Sequence, residues 1–185
     1  MAAALGARAA ILPGAATVLC IQGPSSSQAA RHRFVGLEGA KPPRVTFKIL
    51  KSHNWTEEGG FQAASSWLRL ITSQRQPISA VAAQKDLIAM GARRAFEEAK
   101  ALLPGGSRSQ LPFLGVDGLP LTGQAFVNRG SLIATVVVPP VAGTALEAVL
   151  KAIATKTKPP DLQLISSYPY PPIESLRLIA AALHP

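Results

Sequence analysis

The sequence predicts an α/β protein: a three-layer parallel sheet with helices on both faces. Two observations carry that prediction. Five hydrophobic runs of β-like composition lie between Thr17 and Val138, and the first four are each followed by a helix-like or turn segment, the alternation that builds parallel sheets from βαβ units. Each run also closes on a polar residue or a turn, and sheets of this kind bind ligands beyond the carboxyl ends of their strands. The residues standing at those ends are Gln22 with Arg31 and Arg33 just beyond, Asn54 and Trp55, Gln84 to Asp86, and Asp117.

Taken in order, residues 1 to 12 are Ala-rich and read as a short helix or a frayed lead-in. Thr17–Gln22 is a buried strand, after which Gly23-Pro24-Ser25-Ser26-Ser27 turns the chain and caps a helix from about Gln28 to Leu37. Arg44–Leu50 alternates Val45, Phe47 and Ile49 with Arg44, Thr46 and Lys48, the pattern of a strand with one exposed face near a sheet edge. Glu57–Ser73 spaces Phe61, Ala64, Leu68 and Ile71 as a helix facing the sheet. Ile78–Ala83 is the third strand, and Asp86 is placed to cap a helix from Leu87 to Leu103. The apolar stripe of that helix is Ile88, Ala92, Ala95, Ala99 and Leu102, with Arg93 and Glu97 paired one turn apart on its wet face before Pro104-Gly105-Gly106 ends it.

Leu111–Val116 is the fourth strand and stops at Asp117-Gly118; residues 120 to 129 form a short helix or turn, and Leu132–Val138 is a β-branched fifth strand. After Pro139-Pro140, helical periodicity resumes over Val141–Ala154 through Leu146, Val149, Leu150 and Ile153. Beyond Thr155 the chain turns basic and Pro-rich, with Asp161–Ser166 expected as a lone strand and Pro169–Pro172 as an extended linker. No internal repeat emerges.

Composition narrows the function classes. A chain of 185 residues, 48% of them apolar, buries one sizeable core and leaves no room for a second full domain. Nineteen Lys and Arg against ten Asp and Glu give a formal charge of +9, which favours an anionic partner or surface. The basic residues are scattered and aromatics make up only 5%, which argues against a nucleic-acid-binding module. Cys20 is the only cysteine, so an internal disulfide and a cysteine zinc site are both excluded, and its place in an apolar run makes it a small buried hydrophobe. His32, His53 and His184 lack metal-ligand spacing, and no cofactor is expected.

Arg8 followed by AAILPGAATVLC imitates a secretion signal, but Pro13 and Gly14 interrupt its apolar part and no small-residue cleavage site follows cleanly. No uninterrupted apolar run approaches the roughly 18 to 20 residues that span a bilayer, so the chain is expected to be soluble. Catalytic signatures are missing too: there is neither a Gly-x-Ser-x-Gly elbow nor a Gly-x-Gly-x-x-Gly turn, and no His stands with a plausible acid and nucleophile. The expectation is a protein that is not an enzyme.

Five short segments, arriving in the right order, carry a family resemblance. TVLCIQGPSSSQAARHRFVGLEGA resembles the opening of the C-terminal lobe in type I periplasmic sugar-binding proteins, the group typified by ribose-binding protein. NWT resembles that family's aromatic after the second strand, AAQKDLIAMGA its Gln-Asn-Asp and Ala-x-Gly run, FLGVDG its Gly-Phe-Asp-Gly strand end, and NRGSLIATVVVPP its Gly-x-Leu-x-Ala-Thr strand with the following Pro. The resemblance covers about residues 15 to 155. It implies residues 1–14 as a lead-in, 15–138 as the C-terminal lobe, and 139–185 as a crossover helix, a strand and a Pro-rich tail.

The family resemblance further implies a clamp that closes on a monosaccharide or similar polar solute and presents it to the membrane permease of an ABC transporter, hence a periplasmic location. Carried over by position, Arg33 matches the arginine that donates paired hydrogen bonds to sugar hydroxyls, Trp55 the aromatic that stacks on the sugar ring, and Asp117 the carboxylate that accepts from two hydroxyls. A guanidinium fork and a carboxylate suit vicinal hydroxyls, and an indole face suits the C–H face of a sugar. Two positions depart from the pattern. Lys85 stands where the family usually has a neutral Asn, and Val138 where a polar side chain usually closes the site. A buried Lys needs a negative charge, so the expected ligand is acidic, such as a sugar acid or phosphosugar.

Family members carry a whole lobe and a signal peptide ahead of the strand that here begins at Thr17. Residues 141 to 166, which in the family return to that first lobe, are therefore expected to pack back on this one, to pair with another copy, or to be loosely held. The alternative to transport is the effector-binding domain of a lactose-repressor-type transcription regulator, which shares the fold; residues 1 to 16 are too short and Ala-rich for its helix-turn-helix.

Overall fold

The computed structural model describes residues 16–70, 77–99 and 111–176. The expectations for residues 1 to 12, for Ile71 and the end of its helix, and for Leu102 with the turn at 104–106 fall outside these residues. The described elements run β1 (Ala16–Gln22), α1 (Gln28–Gly39), β2 (Val45–Lys51), α2 (Glu57–Leu68), β3 (Ala80–Ala83), α3 (Asp86–Glu98) and β4 (Phe113–Asp117). A π-helical turn at Pro120–Gln124 then leads into α4 (Ala125–Asn128), β5 (Ala134–Val137), α5 (Val141–Thr155) and β6 (Tyr168–Tyr170).

The strands form one sheet in the order β2-β1-β3-β4-β5-β6. The first five are parallel, and β6 is antiparallel to β5. β1 lies between β2 and β3 and is apolar on both faces, whereas half-exposed β2 is an edge strand, as its alternation predicts. Register aligns Gln22 with Lys51, Ile21 with Ala83 and Asp117 with Val137, so the carboxyl ends of the parallel strands share one rim.

Alternating side chains divide the core into two layers. On one face Leu19, Ile21, Val81 and Ala83 meet α2 and α3 through Ala64, Trp67, Ile88, Ala92 and Phe96. On the other, Val18, Cys20, Val45, Ala82, Leu114 and Ala134 meet Leu37 of α1 and Leu176 near the end of the described chain. Helices thus cover both faces of the sheet. Burial pushes the Cys20 thiol up to about 12, with Glu38 adding to the shift, which suits a packing role over a reactive one. The expected Arg93–Glu97 pair forms at 2.7 Å.

Two sequence expectations are corrected past β5. Asp161–Ser166 is not a strand; the sixth strand is Tyr168–Tyr170, which overlaps the expected linker at Pro169–Pro172. Pro169 is tolerated there because β6 sits at the sheet's edge, where a missing N–H breaks no inner ladder. Among the described residues, α5 stands apart from the core: only Ala152 is buried along it, while Leu146, Val149, Leu150 and Ile153 remain exposed, as do Leu162 and Leu164 beyond it.

Candidate functional site

The rim is built from three turns. In the first, Ser27 caps α1 by accepting from the Ala30 amide at 3.3 Å. This starts α1 at a height where Arg33, in its second turn, reaches over the ends of β3 and β4. Arg33 Nη1 donates to the Gln84 carbonyl oxygen, and Nη2 donates to Asp117 Oδ1 at 3.1 Å. Arg31 does not join it: its guanidinium bonds the carbonyls of Ser25 and Ser26 and so closes its own turn.

The second turn follows β2. Asn54 Oδ1 accepts from the Thr56 amide at 3.0 Å and Thr56 Oγ1 caps α2 by accepting from Gly59, so Asn54 is spent on building the loop. Trp55, half-buried between these two residues, lies against the β1–α1 turn. A Cβ at Gly23 would sit 2.3 Å from the indole Cη2, so only glycine admits the ring there. The Arg33 Cζ lies 5.5 Å from the Trp55 ring centroid, within cation–π range.

The third part joins β3 and β4. Gln84, 3% exposed, accepts from the Gly23 amide at 3.0 Å and donates to the Ala30 carbonyl at 2.9 Å. It therefore staples the first turn to the third. Lys85 Nζ lies 3.8 Å from Asp117 Oδ2, with the two side chains 31% and 24% exposed. Lys85 is thus part-exposed and already faces a carboxylate, which differs from the buried, unmatched cation that the sequence suggests. Asp117 has φ 111° and Gly118 φ 61°. A positive φ on a residue with a side chain costs of the order of 1–3 kcal/mol and concentrates at functional sites.

Four of the five predicted site residues, Arg33, Trp55, Lys85 and Asp117, therefore gather on one rim. Val138 borders them on β5's side: its amide donates to the Asp117 carbonyl at 3.0 Å, and its side chain packs against Val116 and Val136. The cluster carries two cations and one anion in contact.

Asp86 departs from its expected role. The N-cap of α3 is Lys85, with no side-chain cap bond; Asp86 instead turns inward, 2% exposed. Its Oδ2 accepts from the Gly118 amide at 2.8 Å and its Oδ1 from the Thr135 hydroxyl at 2.6 Å. Burial raises its pKa from 3.8 to about 6, with the charge of Asp117 adding to the rise and the Thr135 and Gly118 bonds and Arg33 opposing it. Sequence reasoning missed this residue's part because its neighbours Gly118 and Thr135 lie 32 and 49 positions away. The only local signal was a carboxylate beside an apolar strand.

No protein-family model matches the chain, and no curated protein matches it in sequence. Solved structures do match. The fructose-binding periplasmic domain of a hybrid two-component system superposes with a TM-score of 0.74 at 24% identity, over 98% of this chain and 61% of its own. An ABC transporter periplasmic solute-binding protein from Actinobacillus succinogenes with bound D-allose gives 0.73 at 24% identity, over 94% and 58%. A galactofuranose-binding protein gives 0.71 at 22%, over 98% and 63%. The fold is therefore that of the periplasmic sugar-binding proteins, and the chain spans about three fifths of the length of those it matches.

Proposed function

We propose that the chain is a solute-binding lobe that holds a small sugar or sugar derivative, without catalysis, as the substrate-binding component of an ABC sugar transporter does. The observation that carries this is the meeting of Arg33, Trp55, Lys85 and Asp117 on one rim of the sheet. Each Asp117 oxygen faces one cation, which leaves acceptor capacity on both for a pair of vicinal hydroxyls. Lys85 is loosely held, with donors to spare, and the indole supplies an apolar surface beside them. Fructose, D-allose and galactofuranose, bound by the structural neighbours, are all ligands of this chemistry. With two cations to one carboxylate in the cluster, a monosaccharide carrying an acid group is the finer assignment.

The neighbours' greater length supports a two-lobed clamp of which this lobe supplies one jaw. The exposed stripe of Leu146, Val149, Leu150 and Ile153 on α5 is the face that the other jaw would cover. A membrane permease as partner and a periplasmic location belong to the same reading. The repressor alternative draws no comparable support, since the neighbours described above are binding proteins and a fructose-binding periplasmic domain.

Calorimetric titration of the chain with D-allose, fructose and gluconate tests the proposal. One lobe supplies only part of a closed cleft, so the expected result is weak, saturable heat that is strongest for gluconate and vanishes in Arg33→Ala and Asp117→Ala. Heat that survives both substitutions would refute the site. A response to neutral sugars with none to gluconate would refute the acidic ligand.

A further inference from the structure

The Asp86 carboxylate is buried behind the cluster, yet it ties together three of the neighbouring strands. It follows Lys85 at the end of β3, accepts from the amide that follows Asp117 at the end of β4, and accepts from Thr135 inside β5. Space is reserved for it: a Cβ at Gly115 would lie 2.1 Å from its Oδ1, and a Cβ at Gly123 2.1 Å from its Oδ2. A buried carboxylate is costly to keep, and apolar residues would fill a core position at lower cost. This one instead ends on the backbone of the one turn in the site that is held at positive φ.

We propose that Asp86 is the positioning residue of this site: by gripping the Gly118 amide and the Thr135 hydroxyl together, it holds the Asp117 turn in its unfavourable backbone conformation and so sets where the Asp117 carboxylate meets a ligand. The inference rests on the proposed function for what is bound, and on geometry alone for what is held. Ionised Asp86 accepts both bonds in their stronger, charge-assisted form. On protonation the carboxyl can still bond Thr135 by donating to its hydroxyl, but the Gly118 amide is left with a neutral acceptor and the turn slackens. The charged groups around it are Asp117 on β4, Arg33 on α1 and its own neighbour Lys85; from the π-helical turn Gly123 packs against it. Its titration near 6 falls where binding is readily measured.

Two measurements on the full chain test this, using Asp86→Asn, whose amide can accept from Gly118 and donate to Thr135 without titrating, and Asp86→Ala, which does neither. First, the Gly118 amide resonance is followed from pH 4 to 8. It should move with a midpoint near 6 in the wild type and stay fixed in Asp86→Asn; a wild-type resonance that does not move, or one that moves equally in the Asn variant, overturns the proposal. This arm needs no ligand. Second, D-allose, which does not itself titrate, is bound at pH 7.5 and 5. Wild-type affinity should fall several-fold on acidification, Asp86→Asn should show no such step, and Asp86→Ala should bind roughly tenfold more weakly at both pH values. Equal affinity in wild type and Asp86→Ala overturns the positioning role, whereas no D-allose binding by the wild type counts against the proposed function and leaves the amide titration to decide this one. Should Asp86→Ala fail to fold, the Asn variant carries both measurements.

Discussion

Replacing Gly23 by Ala separates a ligand-contacting Trp55 from one that merely packs. The added methyl lies 2.3 Å from Cη2 of the indole and 2.5 Å from both Cζ2 and Cζ3. Ordinary carbon contacts begin near 3.4 Å, so the ring has to retreat by about 1 Å. The atoms struck are the far end of a half-buried side chain, which can swing outward without moving backbone. The stability cost is therefore small, about 1 kcal/mol, equivalent to a melting shift of roughly 2–4 °C in a protein of this size. Binding should suffer more. A gap of 0.5–1 Å forfeits about a quarter to a half of a dispersion contact, and the swing also draws the ring away from Arg33. A loss of roughly three- to tenfold in affinity follows if the indole stacks on the ligand. The assay pairs thermal melting with D-allose or gluconate titration of the same protein. Unchanged affinity beside a lowered melting temperature would refute the assignment and leave Trp55 as a packing residue.

Three further outcomes follow from named contacts. Arg33→Lys should bind ligand at least tenfold more weakly, because an ammonium cannot reach the Gln84 carbonyl and Asp117 together as the guanidinium fork does; calorimetry with near-wild-type affinity would contradict this. Gly118→Ala should lose about 2 kcal/mol or more of stability by urea denaturation, since φ is 61° and its Cβ would lie 2.6 Å from the Val137 Cα, an unyielding backbone atom. For Asp86, the folded pKa of about 6 lies above the ordinary 3.8. Its contribution is thus fully present below pH 3.8 and is lost as pH rises through 6, a swing bounded at roughly 3 kcal/mol. The stability of the wild type relative to Asp86→Asn should accordingly decline between pH 4 and 7, and a constant difference would show that the carboxyl does not titrate as described.

The exposed stripe on α5 gives the fold an open side. Leu146, Val149, Leu150 and Ile153 repeat at the spacing of a buried helix face, yet all are exposed, at 46% or more. Such a surface in isolation favours self-association, so Leu150→Glu with Leu146→Lys should shift the chain toward monomer in sedimentation without moving the rim.

Local chemistry determined the elements. The unbroken apolar run at Thr17–Gln22 could be satisfied only by a strand buried on both faces, and the alternation at Val45–Lys51 only by an edge. Ser27 and Thr56 placed the starts of α1 and α2 through caps that depend on residues three positions away. Trp55, Lys85 and Asp117 were legible because each stands at or just past the end of a strand, and parallel register carries such positions to one rim; Arg33, in the second turn of α1, was legible through the family resemblance of its segment. Tertiary structure decided what those residues do to one another. Arg31 and Arg33 are two positions apart in similar surroundings, but only Arg33 points over the strand ends. Asp86 has the sequence of a helix cap and the role of a cross-brace, because a buried carboxylate takes whichever donors the fold delivers, and Gly118 and Thr135 arrive from distant strands. The sixth strand could not be read from Tyr168–Tyr170, since two tyrosines favour a strand but three residues with a central proline give no periodicity to read, and β5 supplies the open edge that decides it.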